Sequence, residues 1–175
     1  AIRSAGNSSC PIPAEPTQKD IGVIKKELAE KDKKRYEFFE KLLEQLRDKT
    51  GMFSNVSPVG YQSWVCAGAG KSGMLWQITA TQRASRVELC FNAPSSELNR
   101  RRFEAMLECK DKIEREFGEP LRWDYKEDRK HQHIHSDCFI GGYDDRDKWQ
   151  AVHSDLVNRI VRLECSLRDA VKRAE

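Results

Sequence analysis

Strand-like alternation between residues 63 and 92 constrains the fold more than any other feature of the chain. In its clearest part, Val87, Leu89 and Phe91 alternate with polar or smaller side chains. A period of two sends successive side chains to opposite faces of a sheet, so these three residues share one face. The Gly-rich segment 68–73 predicts a turn. The pattern predicts a three-stranded meander with one face on a core. The predicted strands are residues 63–67, 75–81 and 86–92.

The segments on both sides of the meander have the spacing of amphipathic helices, with apolar residues every three or four positions. Two further alternating stretches predict a hairpin between the second and third helices. The predicted order is αβββαββα. We therefore expect an α+β domain in which three helices cover an antiparallel or mixed five-stranded sheet. The predicted helices are residues 20–49, 96–117 and 149–171, and the additional strands are 121–125 and 131–140.

The length of the chain predicts one domain, since 175 residues can bury a sizeable core. Residues 1–19 hold three of the six prolines together with Gly, Ser and Asn, which predicts a disordered linker or arm. We therefore expect the single domain to cover residues 20–175. Because the chain begins at Ala1 rather than Met, we also expect it to be a piece of a longer protein.

Charge, hydropathy and cysteine spacing narrow the class of protein. The formal net charge of +3 is only a slight indication of an acidic partner. No apolar run approaches the roughly 20 residues that span a bilayer, and no signal-peptide pattern is visible. The six cysteines are scattered without a Cys-x-x-Cys pair, which favours reduced thiols over a disulfide framework. We expect a cytoplasmic protein with no membrane partner.

The segment 67–72, Ala-Gly-Ala-Gly-Lys-Ser, is similar to a phosphate-binding loop but lacks two of its requirements. Val65 stands where the pattern needs its first Gly, and a predicted strand follows instead of a helix. A phosphate loop depends on the N–H groups at the start of that helix. A hairpin turn is the better interpretation, and no cofactor is predicted.

Three histidines, His131, His133 and His135, are spaced so that a strand places them all on one face. Neighbouring imidazoles would lie about 6–7 Å apart, and two of them with a remote carboxylate are a candidate metal site. The apolar residues Ile134 and Cys138 fall on the opposite face of the same strand. If that face packs on the core, the histidines face water, and we favour this interpretation over metal binding.

Glu88 is a candidate catalytic residue because the αβββαβ order resembles the core of the PD-(D/E)XK nucleases. Such a site needs an Asp near the second strand, and a carboxylate and a Lys two residues apart on the third, to hold metal ions that activate water. Glu88 supplies the carboxylate, but Cys90 stands where Lys belongs, and residues 63–81 contain no Asp or Glu. The sequence therefore argues against catalysis at Glu88, and a divergent nuclease is kept as an alternative.

Basic residues on the predicted middle helix are candidates for nucleic-acid binding, because phosphates attract Lys and Arg. Acidic residues are interleaved among them, which is also typical of a solvated helix face. The candidates are Arg100, Arg101, Arg102 and Lys110.

Several motifs between Tyr36 and about Arg168 resemble the bacterial and archaeal family called domain of unknown function 4268. They are Phe38 to Leu43, Phe53 to Pro58, Ser63-Trp64 with the glycines that follow, Arg86 to Leu89, Phe117 to Leu121, Gly141 to Asp145, and Trp149. The resemblance implies a domain that often lies C-terminal to a nuclease-like domain in restriction or defence-type proteins. It implies no catalytic residues.

These observations together favour a non-catalytic accessory domain of a DNA-processing protein. Its expected partner is DNA, an upstream nuclease-like domain or another protein chain. One alternative is a dimerisation or scaffold module that uses the charged helix from Asp20 and the long last helix. The other is the divergent nuclease at Glu88.

Overall fold

The computed structural model of the protein describes residues 17–175, so most of the arm predicted at residues 1–19 lies outside the described residues. Within this range one helix, three strands, two helices, two strands and a last helix follow each other, which confirms the predicted α+β class. The helices are α1 (Gln18–Lys49), α2 (Ser96–Leu107), α3 (Lys110–Phe117) and α4 (Trp149–Arg173). The strands are β1 (Trp64–Gly68), β2 (Met74–Ala80), β3 (Ser85–Phe91), β4 (Arg122–Asp124) and β5 (Gln132–Cys138).

The described strands form a five-stranded sheet in the order β1-β2-β3-β5-β4. The first three strands are the predicted meander. β5 pairs with β3 and places Ile134 opposite Leu89, and β4 pairs with the other side of β5. Every pairing is antiparallel, so the sheet is antiparallel rather than mixed.

The helices of Asp32–Glu175 pack on one face of this sheet. Trp76, Leu89 and Ile134 point to that face, and all three are buried in one hydrophobic core with the apolar stripes of the helices. The opposite face, called the open face below, carries none of the helices that this unit contains. The core side chains of the helices include Phe38, Leu42 and Leu46 of α1, Phe103 and Met106 of α2, Ile113 and Phe117 of α3, and Val152, Leu156 and Ile160 of α4.

The described residues fall into two parts, one that ends at Lys31 and one that comprises Asp32–Glu175. The second part contains the sheet, α2 to α4 and the second half of α1. In the first part, the described residues form the beginning of α1, and the side chains at 17–30 are exposed. Across the described residues, no helix combines the length and the apolar character needed to cross a membrane.

The predicted middle helix is two helices, so the structure has four helices rather than three. α2 begins after Ser95, whose side chain accepts a hydrogen bond from the backbone N–H of Leu98, and it ends at Glu108. Cys109 then leaves helical geometry, with a ψ angle of 12°, before α3 begins. Gly118 ends α3 with a φ angle of 95°, a left-handed conformation that glycine adopts easily.

A candidate functional site on the open face

The strand register aligns the side chains of the open face in three rows that run across the sheet. Directly opposite positions in an antiparallel sheet have Cβ atoms about 4.5–5.5 Å apart, so neighbours in a row touch. The face therefore brings together polar residues from distant parts of the chain. The first row is Trp64, Thr79, Arg86 and Asp137; the second is Cys66, Gln77, Glu88, His135 and Arg122; the third is Leu75, Cys90, His133 and Asp124.

Glu88 lies at the centre of the open face and has 0 % of its surface exposed. Its Oε1 atom accepts hydrogen bonds from the amide of Gln77 and from Thr79 Oγ1, the latter at 3.0 Å. Its Oε2 atom lies 2.8 Å from Arg86 Nε and 3.3 Å from His133 Nδ1. Neither of these nitrogens is aligned for a directed hydrogen bond, and all three atoms are buried. The Oε2 atom is therefore held by electrostatic attraction rather than by an aligned hydrogen bond.

The Glu88 carboxylate stays ionised despite its burial. Burial by itself raises the pKa of a carboxyl group, because it disfavours the charged form. Here the contact with His133 and the positive charge of Arg86 outweigh burial, and the pKa of Glu88 is lowered. Since its oxygens are covered, Glu88 acts on the residues around it rather than on a bound molecule.

His133 and His135 share one arrangement, in which the Nδ1 atom faces a carboxylate. His133 Nδ1 lies 3.3 Å from Glu88 Oε2, and His135 Nδ1 lies 3.0 Å from Asp137 Oδ1. A carboxylate at Nδ1 fixes the orientation of an imidazole and leaves Nε2 for other partners. The side chains of His133 and His135 are only 13 % and 10 % exposed. Both therefore face away from the core, yet neighbouring side chains rather than water cover most of their surface.

The third histidine, His131, is separate from this arrangement. It precedes β5 and is exposed. Among residues 17–175, no group of three or more His, Cys, Asp and Glu side chains has an arrangement that could hold a metal ion. The three histidines thus lie on one face, but their side chains do not converge on a common metal position.

Charged groups on more than one strand affect the pKa of His135. Burial and the positive charge of Arg86 lower the pKa of His135, and the charges of Asp137 and Glu88 offset this effect only in part. The imidazole is therefore neutral at neutral pH. A neutral imidazole fixed by a carboxylate is able to accept a proton.

The two cysteines of the open face are not reactive thiols. Burial raises the pKa of Cys66, and burial together with the charge of Glu88 raises the pKa of Cys90 to about 12. Both thiols are therefore protonated at neutral pH, and only a thiolate is a strong nucleophile. All five cysteines among the described residues are free.

A groove of about 550 Å³ lies at the end of the open face that carries the first row. Arg83 and Arg86 supply two positive charges against the one negative charge of Asp137, Thr79 and Thr81 supply hydroxyl groups, and the ring of Phe139 is 83 % exposed. Arg83 belongs to the turn between β2 and β3, and Phe139 follows β5. They meet because Ser85 at the start of β3 pairs with Cys138 at the end of β5. Sequence patterns predicted each strand but not this groove.

The structure does not bring the four predicted basic residues together as one free surface. Arg102 is buried, and its guanidinium donates to the backbone oxygens of Ser72 and Glu175. Arg100 forms ion pairs with two acidic residues of α2. Arg101 is exposed, and Lys110 is half-buried on α3.

The fold and this site define a class: a two-layer α+β domain with helices on one side of an antiparallel sheet and a polar open face on the other. Residues 34–171 match the family described as Domain of unknown function (DUF4268), and the chain belongs to this family. No curated protein and no solved structure matches the chain.

Proposed function

We propose that this protein is an accessory domain that binds single-stranded nucleic acid on the open face. The observation that carries the proposal is the groove in which the exposed ring of Phe139 lies beside Arg83 and Arg86. Proteins that bind single strands combine aromatic rings, on which bases stack, with positive side chains that follow the phosphates. The groove offers both within one cavity.

Exposed residues at both edges of the open face favour a polar ligand that is longer than one nucleotide. Trp64 is exposed at the β1 edge of the sheet, and Arg122 is exposed on β4, at the opposite edge. A strand that crosses the sheet between them would pass over the row of Gln77, Glu88 and His135. Uncovered antiparallel sheets bind single-stranded RNA in this way, with bases splayed on the face.

The choice of a single strand follows from the shape of the surface. The bases of a duplex are stacked and paired, so an exposed ring such as that of Phe139 cannot reach between them without unstacking them. An unpaired base stacks on such a ring at no comparable cost. The proposed setting is a DNA-processing or defence-type protein with a neighbouring nuclease-like domain, and its support is the resemblance of the sequence motifs alone.

The test is fluorescence anisotropy with a labelled single-stranded oligonucleotide between about 50 and 200 mM salt. We expect affinity to fall steeply as salt rises. Phe139→Ala should weaken binding by about 1–3 kcal/mol, the usual contribution of one stacked base. Arg83→Ala should also weaken binding and reduce the salt dependence by about one unit of the logarithmic slope.

Two exposed residues outside the groove provide matched controls. Tyr61→Ala removes a ring that is 74 % exposed in the loop before β1, and Arg101→Ala removes an exposed cation of α2. Both variants should bind like the unmodified protein. Binding that is insensitive to salt, or that Arg101→Ala weakens while Arg83→Ala does not, would contradict the proposal.

A second function, pairing of two copies through residues 17–31, is favoured by one specific observation. Ile21, Ile24 and Leu28 form an exposed apolar stripe with helical spacing on this part of α1. Sedimentation equilibrium of the protein and of an Ile24→Lys variant tests it. A dimer that the substitution dissociates supports this function, and a monomer at high concentration excludes it.

A further inference from the structure

We propose that His133 and His135 form an acid–base pair that cleaves a single strand at a ribonucleotide, using the 2′-hydroxyl of the substrate as the nucleophile. The inference rests on the proposed function, because the strand must lie across the open face. It goes beyond that function by giving the face an activity and a substrate class, RNA.

The placement of the two imidazoles carries the inference. They lie two positions apart on β5 and on the same face, so their backbone positions are about 6–7 Å apart. In an in-line displacement at phosphorus, the entering and leaving oxygens lie on opposite sides of the phosphorus atom. A phosphodiester between the two rings would have one of these oxygens within hydrogen-bond reach of each imidazole.

Each imidazole also has a carboxylate beside its Nδ1 atom. Asp137 is within hydrogen-bond distance of His135 Nδ1, and the Glu88 carboxylate lies 3.3 Å from His133 Nδ1 without an aligned hydrogen bond. In hydrolases a carboxylate hydrogen-bonded to Nδ1 fixes a catalytic histidine so that Nε2 faces the substrate, and Asp137 has this relation to His135. At His133 the nearby charge of Glu88 stands in place of that hydrogen bond. Glu88 and Asp137 are therefore positioning residues. A histidine on a solvated face without a function would need no carboxylate beside its Nδ1 atom.

We place the nucleophile on the substrate, because burial makes the thiols of the open face poor nucleophiles. Cys90 has a pKa of about 12, and burial raises the pKa of Cys66 as well. A 2′-hydroxyl is already attached beside the phosphorus it attacks, so the reaction is intramolecular and has a large entropic advantage. DNA lacks this group, so the inference predicts RNA as the substrate.

The reaction balances without any further reactant. His135 Nε2 takes the proton from the 2′-hydroxyl as this oxygen forms a bond to phosphorus. The bond from phosphorus to the 5′-oxygen of the next nucleotide breaks, and His133, in the role of general acid, gives a proton to that oxygen. The products are a 2′,3′-cyclic phosphate and a 5′-hydroxyl. Arg86 is paired with Glu88, and its side chain is 33 % exposed, so part of its guanidinium is open to a phosphate.

The test uses a labelled DNA oligonucleotide with one ribonucleotide, incubated with the full chain in the presence of a chelator. We expect cleavage only at the ribonucleotide, with a cyclic phosphate on one product. His133→Ala and His135→Ala should each slow it by about 10²-fold or more. His131→Ala is the matched control, since it removes a histidine that is exposed outside the pair, and its rate should be unchanged.

The pH profile separates a positioning role from a structural one. His135 faces Arg86 and Glu88 of β3, Arg122 of β4 and Asp137 of its own strand. Asp137 raises the pKa of His135, so Asp137→Asn should lower it. The rate rises with pH as the base loses its proton, and in this variant that rise should occur at lower pH.

The outcomes distinguish this inference from the proposed function. Binding is measured in the same sample as cleavage. An oligonucleotide that is bound and stays intact overturns the inference and leaves the binding proposal standing, whereas an oligonucleotide that does not bind overturns both. Equal cleavage of the all-DNA strand, or an equal loss of activity in His131→Ala, also overturns the inference. Because the product ends and the DNA comparison use the unmodified protein, they are informative even if a histidine variant does not fold.

Discussion

Glu88 is a charged residue that water does not reach, and its neighbours make that position stable. Gln77 and Thr79 donate hydrogen bonds to one oxygen, and Arg86 and His133 lie close to the other. A buried charge that loses its partners costs several kcal/mol, so every member of this group is constrained by the others. The same constraint fixes His133, which links the stability of the sheet to the geometry of the candidate site.

Glu88→Gln should therefore destabilise the protein in a pH-dependent way. The lowered pKa of Glu88 means that its carboxylate stabilises the folded state above the ordinary pKa of 4.5, and that this contribution disappears as pH falls below 4.5. We expect a loss of about 3 kcal/mol at neutral pH and a smaller difference from the unmodified protein in acid. Urea unfolding followed by circular dichroism at a series of pH values measures both quantities.

Glu104→Gln is the control for that series, because Glu104 is an exposed glutamate that pairs with Arg100 on the surface of α2. Exposed ion pairs contribute little, so this variant should unfold like the unmodified protein at every pH. The assignment of a stabilising buried charge to Glu88 fails if Glu88→Gln is as stable as the unmodified protein at neutral pH.

Gly142 packs so closely against the turn between β2 and β3 that this position requires glycine. Tyr143 and Asp144 donate backbone hydrogen bonds to the turn between β2 and β3, and a Cβ at Gly142 would collide with Thr81 O and lie 2.8 Å from Ala84 N. Gly142→Ala should lower the free energy of unfolding by about 1–3 kcal/mol, as overpacking does. Gly68→Ala is the control, since nothing lies within 4 Å of a Cβ there. Similar unfolding midpoints for both variants would contradict the collision.

At the scale of single elements, periodicity predicted the strands well and one helix boundary badly. The alternation of Val87, Leu89 and Phe91 predicted β3 because one face of that strand is buried and the side-chain period of a strand is two. The break between α2 and α3 was not predictable in this way, because Met106 and Ile113 would also share one face of an unbroken helix. The break depends on backbone geometry at Cys109, which hydrophobic spacing does not report.

α1 offers a comparison of two leucines within one helix. Leu42 is completely buried in the core, and Leu28 is exposed in the part that precedes Asp32. Leu42→Ala should cost about 2–5 kcal/mol of stability, because it removes contacts and leaves a cavity. Leu28→Ala should stay within about 0.5 kcal/mol of the unmodified protein. Thermal unfolding measures both variants, and a comparable loss of stability in Leu28→Ala would show that its apolar surface is covered in solution.

At the scale of the whole molecule, the candidate site depends on strand order, which the hydrophobic pattern of the sequence does not reveal. Glu88, His133 and His135 were each predictable as candidates from residue type and spacing. Their convergence requires that β5 lie beside β3 with Glu88 opposite His135, and several strand orders satisfy the same hydrophobic pattern. The groove depends on the same pairing, because Arg83 and Phe139 come from segments that are distant in the chain.

The most direct test of the binding surface is an NMR titration of the ¹⁵N-labelled protein with single-stranded oligonucleotide. We expect the largest changes in amide chemical shift to cluster around Arg83, Arg86 and Phe139, and to continue along β3 and β5. Changes centred on Arg101 and Lys110 would instead assign binding to α2 and α3. That result, or a spectrum that the oligonucleotide leaves unchanged, would contradict the claim that the open face binds nucleic acid.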